Sequence, residues 1–222
     1  MSSLYAALAK EALLQWRSRS GFVAVLVFGA VTLLMFSFGI GPNSEVLRLY
    51  SSSFLWLALM LASTLSLAES FRHETENRAL EGLLLLPASS RSIFYGKSIA
   101  NWLHLVILGI LLVPLMIVLY DAPATRAPGL LAVILLGSAG LSAPGTLYAA
   151  MTAEARGKQV LLPLLLFPLV VPVLISSVKA SSLILLGDPM RQIPSWIVLL
   201  TAFDVIYWAI CGLMFPKVVE EM

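Results

Sequence analysis

The chain has 222 residues, 59% of them hydrophobic and only 12% charged, with 14 basic against 12 acidic side chains and a formal net charge of +2. A soluble domain needs far more charge to cover its surface, so that class is excluded and an integral membrane protein is expected. The single Cys211 excludes an intramolecular disulfide and a multi-cysteine metal site, and no metal site is assigned.

In residues 3–18, Leu4, Tyr5, Leu8, Ala12, Leu13 and Trp16 share one half of a helical wheel, with Lys10 and Arg17 opposite. That pattern predicts an interfacial helix lying on the inner leaflet, and no small-residue cleavage pattern marks a removable signal. Six apolar runs follow, at 22–40, 46–68, 98–120, 129–151, 160–178 and 195–215. Each is long enough to cross roughly 30 Å of hydrocarbon as helix, and none alternates with a strand period. An all-α integral membrane fold with six transmembrane helices in one domain is therefore expected. Counting Lys and Arg between the runs puts ten on one side and four on the other, which predicts both termini in the cytoplasm.

Residues 69–97 form the long charged segment on the cytoplasmic side. Thr75 can cap a helix that continues to Leu86 and is stopped by Pro87. Glu74, Glu76, Arg78 and Glu81 give it a charged face, and Leu80, Leu83, Leu84 and Leu86 an apolar one, a combination suited to docking a partner protein. An ordinary solvated loop is the plainer alternative. Gly96-Lys97-Ser98 resembles the end of a phosphate loop, but Arg91 stands where its first glycine is required, so no ATP site is expected here. If ATP drives the protein, another subunit binds it.

His104 lies about two turns into the third run, where a buried, hydrogen-bonded histidine and a heme ligand are both open readings. Small residues Ser138, Ala139, Ser142 and Ala143 would let the fourth helix approach a neighbour closely. In the second cytoplasmic loop, Arg156 and Lys158 fit either a second contact with the same partner or anchoring to lipid head groups. Pro163, Pro168 and Pro172 predict a bent or partly unwound fifth helix, a candidate moving element. Residues 183–186 are too few to span and end at a Gly187-Asp188-Pro189 turn signal, which predicts a re-entrant or surface-lying piece. Asp204 sits mid-span, where an ionised carboxylate costs a few kcal/mol, so it should face the bundle interior. Trp102, Trp196 and Trp208 read mostly as interface anchors.

The runs LAESFRHETENRALEGLLLLPASSRSIFYGKSIANW and LSAPGTLYAAMTAEARGKQVLLPLLLFPLVVPVLI resemble the CcmB family, heme exporter protein B, the membrane subunit of the cytochrome c maturation ABC transporter. The matching positions are Leu80-Glu81 with the leucines and Pro87, Lys97, an Ala143-Pro144-Gly145 turn, and the spaced prolines of the fifth span. The chain departs from the family pattern at Ala79 and at Gly157-Lys158, where glycines are usual. The resemblance implies a permease like those of type-2 ABC exporters in the bacterial inner membrane, not itself an enzyme. It also implies a CcmA-like ATPase that binds ATP, CcmC-like and CcmD-like membrane subunits, and a CcmE-like heme chaperone, with no nucleic acid among the partners.

On that resemblance, residues 69–97 become the coupling segment, with Glu74, Glu76, Arg78, Glu81, Leu83 and Leu84 against the ATPase, and Pro144, Gly145 and the fifth-span prolines as conformational elements. Heme is implied as cargo, and both conduction of heme and mechanical release of the loaded chaperone stay open. Two alternatives remain: a permease of another type-2 exporter for lipids, drugs or glycans, and a membrane enzyme using Asp204 with His104. Counting helical rise sets that pair at depths differing by roughly 5 to 8 Å, poor for a direct hydrogen bond.

Overall fold

The structure is a computed structural model that describes residues 19–76, 90–123, 129–152 and 158–220. Among these residues it is all helical, with α1 (Arg19–Ile40), α2 (Ser44–Glu76), α3 (Ser90–Tyr120), α4 (Leu130–Thr152), α5 (Lys158–Leu186) and α6 (Ile193–Glu220). All six are long and apolar enough to cross a membrane. Helix satisfies every backbone group within its own segment, which is what a lipid-facing chain requires. The predicted interfacial helix at 3–18 lies outside the described residues, as do 77–89 and 153–157.

Several helices run past the apolar runs that predict them. α2 continues from the expected end at residue 68 to Glu76, so Thr75 is inside a helix and does not open a new one. α3 begins at Ser90, eight residues before its apolar run, and Gly96-Lys97-Ser98 is buried helix. α5 reaches Leu186, absorbing the piece expected to be re-entrant. Hydropathy marks the part of a helix inside hydrocarbon, whereas the backbone hydrogen-bond ladder continues until a turn residue stops it. For α5 that stop is Gly187, whose φ of 116° leaves the helical region.

The prolines do not unwind their helices. α5 is α-helical through Pro163, Pro168 and Pro172, and Pro144-Gly145 lies within α4 where a turn was expected. Each proline removes one intrahelical donor but leaves the remaining ladder in place, and in lipid the chain has nothing better to exchange it for.

α4 is the axis of the bundle, packed by α2, α3, α5 and α6, whereas α1 packs on α2 and α3. On the α1 side an aromatic cluster joins three helices: Phe36 stacks on Phe54 at 4.5 Å between ring centroids, and Tyr120 meets Phe54 edge-on and donates to the Leu33 carbonyl at 2.8 Å. Between α5 and α6, Asp188 closes a tight connection. Its Oδ1 accepts from the Gln192 amide and its Oδ2 from the Ile193 amide, both at 2.8 Å, while Arg191 takes a φ of 52°.

Candidate functional site

The faces of α4 carry the polar chemistry of the bundle. Its glycines remove side chains where neighbours arrive: a Cβ on Gly137 would meet the Trp56 ring of α2 and lie 2.6 Å from the Ser177 hydroxyl of α5. A Cβ on Gly140 would lie 2.7 Å from Val173 of α5 and 2.9 Å from Asp204 Oδ1 of α6. Gly145, assigned a conformational role from sequence, admits Leu67 of α2. Small residues allow this approach, and hydrogen bonds then tie the helices together. Ser142 Oγ donates to the Ser98 carbonyl of α3 at 2.6 Å, and Asn101 Nδ2 of α3 donates to Thr146 Oγ1 at 3.0 Å.

Three tryptophans act as cross-ties between helices. Trp102 Nε1 donates to the Leu135 carbonyl at 2.8 Å, Trp208 Nε1 to the Ala139 carbonyl at 3.1 Å, and Trp56 Nε1 to Ser181 Oγ at 2.9 Å. Trp102 and Trp208, expected as interface anchors, also tie their helices to α4. An indole N–H within a bundle requires an acceptor, and the α4 backbone supplies it.

Asp204 faces the interior as expected, only 8% exposed, with both carboxyl oxygens buried and without a hydrogen-bond partner among the described residues. His104 does not join it. The imidazole is edge-on to Phe22 of α1, ring centroids 5.0 Å apart, and its buried Nε2 has no hydrogen-bond partner among the described residues. The acid–base pair required by a membrane enzyme is not formed, because α3 turns His104 toward α1 while α6 turns Asp204 toward α4 and α5.

The description CcmB protein matches residues 2–221, nearly the whole chain. The chain belongs to the CcmB family. Heme exporter protein B of Pseudomonas aeruginosa is 34% identical over 203 residues, covering 91% of each chain. The protein of that name from Rhodobacter capsulatus is 35% identical over 77% of this chain and 78% of its own, and that from Paracoccus denitrificans 32% identical over 79% and 80%.

In this CcmB-family chain only three of the residues predicted to meet an ATPase lie in described helices, each at a helix end. Glu74 and Glu76 lie in the last turn of α2, and Lys158 opens α5, with their side chains outside the described residues. Arg78, Glu81, Leu83, Leu84 and Arg156 lie outside the described residues altogether. Pro168 and Pro172 stand on the outward face of α5, and Pro163 is half-buried. Sequence reasoning expected a close approach at Ser142 but missed its polar partners in the α3–α4 seam, Ser98, Asn101 and Thr146. The available signal was the recurrence of small polar residues near one end of two apolar runs.

Proposed function

We propose that this chain is the membrane-spanning permease subunit of an ABC transporter acting in cytochrome c maturation. The observation that carries the proposal is the CcmB match along residues 2–221, joined by relatives named heme exporter protein B that align over most of their own length. In this reading the chain resides in the bacterial inner membrane with both termini in the cytoplasm. A CcmA-like partner hydrolyses ATP and this chain is not an enzyme. Heme is the cargo of the system, handled with CcmC-like and CcmD-like subunits and passed to a CcmE-like chaperone.

The role within that system is mechanical. Support comes from α2, whose 33 residues form one uninterrupted helix. At 1.5 Å per residue it is about 50 Å long against roughly 30 Å of hydrocarbon, so its charged end stands clear of the membrane as a stiff rod. Glu74, Glu76, Arg78, Glu81, Leu83 and Leu84 then form the ATPase contact, with Arg156 and Lys158 as a smaller one. Closure of the ATPase acts on α2 and α3 through a contact that differs between states, the requirement for shifting any conformational equilibrium.

The test is co-purification of the chain with its ATPase, together with heme staining of mature c-type cytochromes in cells. The triple change Glu74→Lys, Glu76→Lys and Glu81→Lys is expected to abolish both while leaving the chain in the membrane. Survival of both would sink the coupling role.

A further inference from the structure

Asp204 lies near the midpoint of the Ile193–Val218 span, buried and without a hydrogen-bond partner among the described residues. An ionised carboxylate at that depth is costly unless something neutralises it. The titratable groups on the helices packed around it are Arg91, Tyr95, Lys97, His104 and Tyr120 of α3, Tyr148 of α4, Lys158 and Lys179 of α5, and Tyr207, Cys211, Lys217 and Glu220 of α6. None of them hydrogen-bonds to the carboxyl, and His104 is turned toward Phe22.

A neutral carboxyl needs only one acceptor for its O–H. The α4 backbone has one to spare at the contact itself. Pro144 has no N–H, so the carbonyl of Gly140, four residues earlier, lacks its usual helical donor. Gly140 is also the residue whose missing side chain lets Asp204 Oδ1 rest on α4. One turn away on the same face of α4, the Ser177 hydroxyl lies against Gly137, buried and likewise without a hydrogen-bond partner among the described residues.

We propose that Asp204, the Gly140 carbonyl and the Ser177 hydroxyl form a proton-binding site at the centre of the membrane. While α4, α5 and α6 are packed, Asp204 holds the proton as a neutral acid directed at the Gly140 carbonyl. When the three helices part, water enters beside Ser177 and takes the proton, and the carboxylate keeps the electron pair of the broken O–H bond. Proton release and uptake thereby accompany opening and closing of this seam. The site does not depend on which cargo the transporter serves.

Dicyclohexylcarbodiimide, an apolar reagent that adds protonated carboxyls across its C=N bond, tests the proposal on the full chain in detergent or liposomes, with the modified residue found by mass spectrometry. Labelling is expected at Asp204, increasing as pH falls, absent in Asp204→Asn, and unaffected by Na⁺ at fixed pH. No labelling of Asp204 at any pH while another carboxyl of the chain reacts, or labelling indifferent to pH, would overturn the proton site. Protection by Na⁺ would overturn it in favour of an alkali cation. Pro144→Ala returns an N–H to the Gly140 carbonyl and should slow Asp204 labelling roughly three- to tenfold at fixed pH. An unchanged rate would refute the carbonyl's role as acceptor.

Discussion

α1 and α4 are both apolar enough to span a membrane, yet they occupy opposite positions in the bundle. α1 buries a single stripe, Val25, Gly29 and Leu33, and turns Val23, Val27, Phe28, Val31, Met35 and Phe38 outward. α4 is enclosed along most of its length, and its buried positions are rich in Gly137, Ser138, Gly140, Ser142, Ala143 and Gly145. Lipid tails are as apolar as leucine, so hydrophobicity gives no reason to bury one helix rather than another. Small side chains and hydrogen bonds supply that reason.

The contrast breaks most visibly if glycines in the two helices respond alike to enlargement. Gly137→Leu drives a side chain into Trp56 and Ser177. It is expected to cost about 3 kcal/mol or more, read as loss of a monodisperse species in detergent. Trp56→Phe removes the donor to Ser181 in the same seam and should cost about 2 kcal/mol in reversible unfolding. Ser142→Ala removes only the bond to the Ser98 carbonyl, and about 0.6 kcal/mol is the sharper expectation. Gly39→Leu near the end of α1 meets nothing within 4 Å and should stay within ~0.5 kcal/mol. A Gly39→Leu penalty equal to that of Gly137→Leu would remove the distinction between the two helices.

The number and order of spans were legible because apolar length is a local property, readable from runs such as 22–40 and 129–151. Helix ends were not. Glu69, Arg72 and Glu74 end the hydropathy signal of α2 while leaving the helix itself intact to Glu76. Ser181 and Ser182 look like a break in sequence, yet Ser181 is buried helix because a tryptophan 125 positions earlier donates to it. The inward direction of Asp204 followed from its cost in lipid, but its neighbours did not. Gly140 and Val173 come from other helices, and no local pattern pairs them with α6. The Ala143-Pro144-Gly145 turn failed for the opposite reason, since a local turn signal was overridden by the absence of competing water.

The Asp188 connection bears on how the seam can open. With both carboxylate oxygens engaged by the amides of Gln192 and Ile193 where α6 begins, and the chain reversing within a few residues after Leu186, α5 and α6 are closely joined. Val173 on one and Asp204 on the other press the same glycine of α4. A piston stroke of either helix alone would tear that elbow. The proposed release of the Asp204 proton therefore requires α5 and α6 to move as a pair, uncovering Gly140 from both sides together.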